Sequence, residues 1–370
     1  MGGIDLELTC IGCGIAIQTE NPQKEGYTPP ASLEKEEVIC QRCFRLRNYN
    51  ELQPVSLSGD DFLAILNGIG DREGLVVLVV DIFDFNGSWI HGLQRFVGKK
   101  DIVLIGNKAD VLPKSVNRNK LINWMQEQSA KLGLKPAEVM LVSAVRGQGV
   151  PEALERIDEL RKGKDVYVVG CTNVGKSTFI NRIIKQATGT GEVITTSHFP
   201  GTTLDLVEIP LDDGKAIYDT PGIINSHQIA HYLDPSELKA ITPKKEIKPK
   251  IFQLNADQTL FIGGLARFDF MKGERSSFNV HTANALPLHR TKLENADALY
   301  QAHLGEMLSP PGKQSLESFP KLVRHEFSIK KAKTDIVISG LGWITVQHPN
   351  VVVAVHAPRG VDVVLRPSLI

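Results

Sequence analysis

Hydrophobic positions in the middle of the chain alternate between short continuous runs and stretches of helical spacing. Leu75–Val80 and Val166–Val169 are uninterrupted apolar runs, which are typical of buried parallel strands. Lys120–Leu132 and Pro151–Leu160 carry apolar residues at helical spacing, and the second begins with a proline, which favours a helix start. The alternation predicts a doubly wound α/β domain with a mostly parallel sheet over residues 60–225.

The pattern changes after Asp234. Lysines around Pro243 and Pro249 predict a linker or loop. Further on, Gly340-Leu341-Gly342 predicts a turn among four strand-like runs. The runs are Ile336–Ser339, Trp343–Gln347, Val351–Val355 and Val361–Leu365. The C-terminal part is therefore predicted to be a separate, β-rich domain.

Composition adds few constraints. The 370 residues are 23% charged and 42% hydrophobic with a net charge of zero, as in ordinary globular proteins. Residues 225–370 are mildly basic, with 18 Lys and Arg against 13 Asp and Glu, which is weak support for a nucleic-acid partner. No apolar run reaches membrane-spanning length and no secretion signal precedes residue 10. We expect a cytoplasmic protein without a membrane partner.

Four of the five cysteines form two Cys-x-x-Cys pairs. This spacing suits a tetrahedral zinc site of four thiolates, whereas a reducing cytoplasm disfavours two disulfides. The fifth, Cys171, lies in the phosphate loop and is not expected to bind zinc. The cysteine-containing segment ends in basic and aromatic residues such as Arg45 and Tyr49. Such residues are typical either of an RNA contact or of a solvated face. The predicted zinc ligands are Cys10, Cys13, Cys40 and Cys43.

Gly170–Ser177 has the sequence of a phosphate-binding loop, Gly-x-x-x-x-Gly-Lys-Ser, between a predicted strand and a predicted helix. Its glycines permit close backbone approach, and its N–H groups cradle phosphates. Lys176 is predicted to reach the β- and γ-phosphates, and Ser177 to bind Mg²⁺. The predicted nucleotide contacts here are Asn173, Val174, Gly175, Lys176, Ser177 and Thr178.

Asn107-Lys108-Ala109-Asp110 reads as a guanine-specificity motif. The Asp110 carboxylate can accept hydrogen bonds from the guanine N1–H and exocyclic amine, a donor pair that adenine lacks. Asn107 is predicted to brace the loop, and the Lys108 stem to cover the base. Ser143 and Ala144 follow a short strand and are predicted to place a backbone N–H on guanine O6.

Asp219-Thr220-Pro221-Gly222 follows a predicted β-hairpin and reads as the second switch. Asp219 is predicted to hold the Mg²⁺ shell, and the Gly222 N–H to sense the γ-phosphate. Thr203 is the predicted switch threonine and Mg²⁺ ligand, with Thr202 as the alternative. The predicted catalytic groups are therefore Lys176, Thr203 and Gly222. The hairpin strands are Leu204–Ile209 and Ala216–Tyr218.

Two residues bear on the rate of hydrolysis. Ile223 occupies the position where Ras-like enzymes carry a water-orienting Gln, so we expect slow intrinsic GTP hydrolysis. Asn173 lies where some GTPases use an Asn to help coordinate K⁺ against the phosphates. We therefore expect K⁺ to stimulate the reaction. The expected ligands of the protein are GTP or GDP, Mg²⁺, Zn²⁺ and K⁺.

The base motif precedes the phosphate loop, the reverse of the order in ordinary small GTPases, which indicates a circularly permuted P-loop GTPase. With the zinc module first and a β-rich domain last, the chain resembles the YqeH family of circularly permuted bacterial GTPases. The resemblance implies action on a small (30S) ribosomal subunit precursor and its rRNA, and no DNA partner. It also implies a C-terminal domain similar to tryptophan-RNA-binding attenuation protein. Three domains are predicted: a zinc-binding module (1–55), a circularly permuted GTPase domain (56–228) and a β-rich domain that binds RNA or protein (229–370).

Two other functions remain open on these residues. The first is a zinc-containing RNA-binding protein that uses GTP or GDP as a slow structural ligand, which is consistent with Ile223 at the position of the water-orienting Gln. The second is a GTPase partner of a metabolic or RNA-modifying enzyme. Trp343, Arg359 and Arg366 are candidate C-terminal contacts, although a core position is favoured for Trp343.

Overall fold

The computed structural model describes residues 8, 16–21, 26–33, 38, 40–41, 59–188, 195–198 and 205–370. The chain forms two compact units, each built from more than one stretch of sequence. The first comprises Met1–Val79, Ile90–Asn107 and Gln128–Ile224, and the second comprises Val80–Trp89, Lys108–Glu127 and Asn225–Ile370. In the described part of the chain, no helix is long and apolar enough to cross a membrane.

One mixed sheet carries the predicted α/β pattern. Its strands are β1 (Leu75–Asp81), β2 (Ile102–Asn107), β3 (Glu138–Leu141), β4 (Val166–Gly170), β5 (Thr195–His198), β6 (Asp205–Pro210) and β7 (Ala216–Asp219). They lie in the order β3-β2-β1-β4-β7-β6-β5. The pairs β1–β4, β2–β3 and β4–β7 are parallel, whereas β5–β6 and β6–β7 are antiparallel. The α/β prediction and the predicted hairpin are confirmed.

Burial explains why these segments are strands. The runs of Val, Leu and Ile in β1, β2 and β4 are buried along almost their whole length, as expected where both faces of a parallel sheet are covered. Helix α1 (Gly59–Gly70) precedes β1, and the helices between or after the strands are α2 (Leu93–Val97), α3 (Arg118–Lys131), α4 (Val150–Arg161) and α5 (Lys176–Thr188).

The strand order supports a circular permutation. Strand β4, which leads into the phosphate loop, is fourth along the chain and occupies the centre of the sheet. Strand β2, which ends in the base motif, precedes it in sequence and lies two places away, with β1 between them. The motifs are therefore rotated along the chain while the sheet that holds them is complete.

The C-terminal part is β-rich, as predicted, and its strands form a β-sandwich. Its strands are β8 (Lys250–Leu254), β9 (Gln258–Ile262), β10 (Ala266–Lys272), β11 (Ser276–Thr282), β12 (Leu288–Lys292), β13 (Leu322–Ile329), β14 (Thr334–Ile338), β15 (Gly342–Val346), β16 (Val351–Pro358) and β17 (Val363–Pro367). They form two five-stranded sheets, β12-β9-β10-β16-β13 and β17-β14-β15-β11-β8. The neighbouring strands are antiparallel. Apolar side chains of both sheets share one core, in which Phe268 and Phe270 pack on Phe278 at 5.0 Å between ring centroids.

Two helices and six strands of this part were not predicted: the strands β8–β13, and the helices α6 (Pro235–Ile241) and α7 (Ala296–His303). Local chemistry does mark α6. Asp234 accepts hydrogen bonds from the backbone N–H groups of Ser236 and Glu237, and Glu237 bonds back to the Asp234 N–H. This capping box, with Pro235 at the first helical position, fixes the helix start.

The outer face of the second sheet is polar but buried. A cross-strand row on β17, β14, β15 and β11 contains Arg366, Asp335, Thr345 and Asn279. Segments 80–89 and 108–127 belong to the same compact unit and pack on this face. The Phe83 ring lies 5.4 Å from the Trp343 ring, and Trp124 donates its indole N–H to the Pro367 carbonyl at 3.1 Å.

Candidate functional site

The phosphate loop joins β4 to α5, as its sequence predicts. Gly170 has to be a glycine, because a Cβ there would lie 2.6 Å from the Val79 carbonyl oxygen on the neighbouring strand. The backbone has positive φ at Asn173 (63°) and Gly175 (85°), and the Asn173 side chain is exposed. Val174 is buried and anchors the loop. A turn with successive inward N–H groups ahead of a helix is suited to bind phosphate.

Lys176 and Asp219 are both buried and lie beside each other. The Lys176 ammonium is 2.9 Å from Asp219 Oδ1 and also donates to the Thr220 carbonyl. Burial raises the pKa of Asp219, and the Lys176 charge opposes that rise. Ser177 Oγ lies 3.5 Å from Asp219 Oδ2. A hydroxyl and a carboxylate side by side form the kind of oxygen donor set that Mg²⁺ prefers, so these two residues fit the predicted metal.

The second switch is tied to the phosphate loop through its backbone. Ile223 accepts a hydrogen bond from the Thr172 N–H at 2.7 Å and donates its own N–H to the Gly170 carbonyl at 3.2 Å. A Cβ at Gly222 would come within 3.1 Å of the Thr172 Cα. A displacement of Gly222 by a γ-phosphate would therefore also act on the phosphate loop.

The Asn107 side chain forms hydrogen bonds with two loops of the first unit. Its Nδ2 donates to the Val174 carbonyl at 2.9 Å and to the Gly175 carbonyl at 3.4 Å. Its Oδ1 accepts the Ala144 N–H at 3.0 Å. The side chain is buried, so these bonds are shielded from water. One carboxamide thus connects the phosphate loop to the Ser143-Ala144 loop.

Arg182 on α5 is a positioning residue that the sequence did not reveal. Its guanidinium donates to the Ala144 carbonyl at 3.1 Å and to the Val145 carbonyl at 2.5 Å. Within the loop, the Arg146 N–H bonds to Ser143 Oγ at 3.2 Å. No motif marks Arg182, because its partners are main-chain atoms almost forty residues away.

Lys108 and Asp110 belong to the second unit. Lys108 has a left-handed backbone, with φ of 64°, and its ammonium lies 2.7 Å from Asp81 Oδ2. Asp110 is half-buried in a short 3-10 helix that begins at Ala109. Asp81 is the last residue of β1 and was not predicted as a site residue. It holds the Lys108 stem in one orientation, which suits the predicted role of that stem over the base.

A cluster of buried charged and aromatic residues occupies the second unit. Arg366 donates to Asn86 Oδ1 at 2.8 Å, and its guanidinium lies 5.3 Å from the centroid of the Trp343 ring. Burial raises the pKa of Asp84 from 3.8 to about 6, although Asp84 accepts a hydrogen bond from Gln228 at 2.7 Å. Both side chains are buried, so the core position favoured for Trp343 is confirmed, whereas the prediction of Arg366 as a contact residue is wrong.

Several predicted residues lie outside the described part of the chain. They are Thr202, Thr203, Cys10, Cys13 and Cys43. Cys40 is described and is buried. Among the described residues, no three His, Cys, Asp or Glu side chains are grouped to hold a metal ion. Arg359 is exposed, as a contact residue would be.

Family models and known proteins match this chain in sequence. Residues 275–369 match the family model YqeH-like, C-terminal, and residues 165–256 match the model of 50S ribosome-binding GTPases. The chain is 64% identical to YqeH of Bacillus subtilis, over 98% of this chain and 100% of that protein. It is 29% identical to the NO-associated protein 1 of Arabidopsis thaliana, over 97% of this chain and 76% of that protein. The GDP-bound structure of YlqF of T. maritima gives a TM-score of 0.29 at 21% identity, over 45% of this chain and 60% of that one.

Proposed function

The chain belongs to the YqeH family of GTPases, and on that premise we propose that it is a GTP-hydrolysing switch in assembly of the small ribosomal subunit. It acts on a small-subunit precursor in the cytoplasm, with rRNA or a ribosomal protein as the contact. The observation that supports nucleotide binding best is the Asn107 carboxamide, which connects the phosphate loop to the Ser143-Ala144 loop. The link holds the phosphate loop beside the loop that is predicted to contact guanine O6.

In this proposal, separate groups of residues bind the phosphates, the Mg²⁺ ion and the guanine base of GTP. Lys176 contacts the β- and γ-phosphates, and Ser177 with Asp219 would hold Mg²⁺, which neutralises charge that develops on the phosphates. Asp110 accepts the guanine N1–H and amine, and Lys108 covers the base while paired with Asp81. Val174, Gly175 and Thr178 line the phosphates.

We propose that hydrolysis is slow without help. Ile223 offers no polar side-chain atom that orients water, and its backbone is bound to the phosphate loop. Asn173 is exposed with a left-handed backbone, so its carboxamide can face a K⁺ ion beside the phosphates. Thr203 completes the first switch. A GTPase rate that is equal in NaCl and KCl would remove the K⁺ part of this proposal.

A zinc module at the N-terminus is part of the proposal. The spacing of Cys10, Cys13, Cys40 and Cys43 supports it, and the burial of Cys40 suits an enclosed structural site. Elemental analysis of the purified protein should give one zinc per chain. Replacing Cys40 with Ser should remove that zinc while GTP binding persists; zinc-free protein before any substitution would end this part of the proposal.

Co-sedimentation with purified ribosomal subunits tests the proposed function. The protein is mixed in KCl with small or large subunits, with GDP or with a non-hydrolysable GTP analogue. Tighter binding to small subunits with the analogue is the expected result, because only a ligand with differential affinity shifts a switch. Binding to large subunits alone would favour the alternative that the 50S-binding family model suggests. Equal binding with both nucleotides would overturn the switch and favour a slow structural ligand.

A further inference from the structure

Basic residues precede every parallel strand of the first-unit sheet, at the edge where the strands begin. The strands that share this edge are β3, β2, β1, β4 and β7, in that spatial order. The Val76 N–H bonds to the Asp101 carbonyl, which places the starts of β1 and β2 side by side. We call this set the entry stripe: Lys135 before β3, Lys99 and Lys100 before β2, Arg72 before β1, Lys162 and Lys164 before β4, and Lys215 before β7.

Two adjoining cavities open along the entry stripe. One has a volume of about 310 Å³ and is lined by six basic residues but only two acidic ones, Glu73 and Asp101. The other has a volume of about 290 Å³, shares Arg72, Glu73 and Lys164 with the first, and extends to Lys215. The chain as a whole has no net charge, so this edge concentrates positive charge.

Three acidic residues of this edge are engaged by the protein itself. Asp165 Oδ1 accepts the Ala216 N–H at 3.0 Å, which fixes β7 beside β4. Asp213 lies 2.6 Å from the Arg161 guanidinium. Glu73 lies 3.3 Å from the Lys164 ammonium. These contacts hold the turns in place and reduce the negative charge that an incoming anion would meet.

Three exposed lysines that line the two cavities are available to a ligand. Lys99, Lys162 and Lys215 are exposed, and no ion pair to any of them occurs among the described residues. Lys100 differs, because its ammonium donates to the Gly70 carbonyl at 2.6 Å at the end of α1, and burial lowers its pKa. Lys100 therefore supports the fold, whereas the three exposed lysines can bind anions.

The spacing of the entry stripe indicates the class of ligand. Neighbouring strands are about 4.8 Å apart, so five strand starts form a line about 19 Å long. Cations distributed over a line of this length suit a linear polyanion better than a single phosphate. The stripe is also separate from the nucleotide loops, which follow the opposite ends of β2 and β4. Five residues of β4 put about 16 Å between the two edges.

From this geometry, we propose that the entry stripe binds the phosphodiester backbone of an RNA strand without reading its sequence. Lysine contacts to phosphate position a nucleic acid, and specificity has to come from other contacts. The identification of this RNA with rRNA rests on the proposed function. The surface itself requires only the charges and spacing described above.

The test uses the full chain and a fluorescein-labelled oligouridine. In the variant Lys99→Gln/Lys162→Asn/Lys215→Gln, the Asn tolerates the left-handed backbone at position 162, where φ is 50°. The slope of log affinity against log salt should fall by about 2, since each single-strand contact contributes about 0.7. At 0.1 M salt the variant should bind the RNA on the order of a hundredfold more weakly than the parent, and the two affinities should converge near 1 M salt. Affinity for labelled GTP should not change.

A matched control removes the same charge elsewhere. Lys330→Gln/Lys331→Gln/Lys333→Asn changes three exposed lysines of the second unit, one of which, Lys333, also has a left-handed backbone. The control should retain the parent salt slope. An unchanged slope in the stripe variant, an equal loss in the control, or no RNA binding by the parent would each overturn the proposal. Displacement of RNA by polyglutamate at equal charge would also overturn it and indicate an acidic polypeptide.

Two further measurements keep the result interpretable. If the triple variant does not fold by circular dichroism, Lys99→Gln/Lys215→Gln leaves the left-handed turn untouched and should reduce the slope by about 1.4. Co-sedimentation of the unaltered protein with ribosomal subunits is scored separately. If the unaltered protein does not bind small subunits, the proposed function is refuted. The proposed RNA-binding surface is still supported in that case if the stripe variant binds the oligouridine more weakly than the unaltered protein.

Discussion

Replacing Asn107 with Ala should disconnect the phosphate loop from the loop at Ala144. The parent side chain makes two hydrogen bonds of ordinary length, 2.9 Å to the Val174 carbonyl and 3.0 Å from the Ala144 N–H. A third bond, to the Gly175 carbonyl, is long at 3.4 Å. All three are formed by a buried side chain, so an alanine leaves the partner groups with reduced access to water.

The expected loss follows from these bonds. Each hydrogen bond of ordinary length contributes about 1 kcal/mol net, and leaving its buried partner unsatisfied brings the cost nearer 1.5 kcal/mol. Two such bonds amount to about 3 kcal/mol. If both loops must be held in place before guanine nucleotide binds, the affinity should fall roughly a hundredfold, since 1.4 kcal/mol is a factor of ten.

Equilibrium titration with a fluorescent GTP analogue measures this loss, and urea unfolding measures stability in parallel. Asn279→Ala is the matched control, because it makes the same truncation on β11, where the Asn279 Oδ1 has no hydrogen-bond partner among the described residues. The control should bind GTP like the parent. The reasoning is refuted if Asn107→Ala keeps the parent affinity, or if the control loses as much.

Three further outcomes are expected. Gly170→Ala should lower the melting temperature and abolish GTP binding, because the new Cβ would lie 2.6 Å from the Val79 carbonyl oxygen; calorimetry and titration test both. Arg182→Ala should weaken GTP binding about tenfold in the same titration, since the Ala144 loop loses about 1.5 kcal/mol of charged hydrogen bonding. The folded-state pKa of Asp84 is raised by burial, so its stabilising contribution is complete below pH 3.8 and is lost as pH rises through about 6. Asp84→Asn should therefore exceed the parent in unfolding free energy by up to about 3 kcal/mol near pH 8 and by little near pH 4, and a gap independent of pH would contradict this.

Segment 80–89 contacts both the base motif and the residues that follow the second switch, which are far apart in the sequence. Asp81 holds Lys108 of the base motif, and Asp84 accepts a hydrogen bond from Gln228, which follows the second switch in sequence. The Asn225 side chain donates to the Gly87 carbonyl at 2.7 Å. A change in either the base motif or the residues after the second switch thus acts on one short segment.

Much of the site could be read from the sequence because each motif is a short run of neighbouring residues. The phosphate loop needs a strand, a glycine-rich turn and a helix in succession, and all three are visible between Val166 and Thr188. The strands β1, β2 and β4 are equally evident, since a strand buried on both faces is a continuous apolar run. The rotated order of the motifs is also a property of the sequence alone.

The tertiary structure decided what depends on residues far apart in the chain. Strands β8–β13 escaped prediction because strands such as β13 have one solvated face, and a strand such as β10 finds a partner in β16 about eighty residues later. Arg182 and Asp81 acquire their roles only through partners brought near by the sheet. The entry stripe is the clearest case, because its lysines are ordinary turn residues in sequence. Parallel strands start at one edge, and only that geometry places their charges in a line.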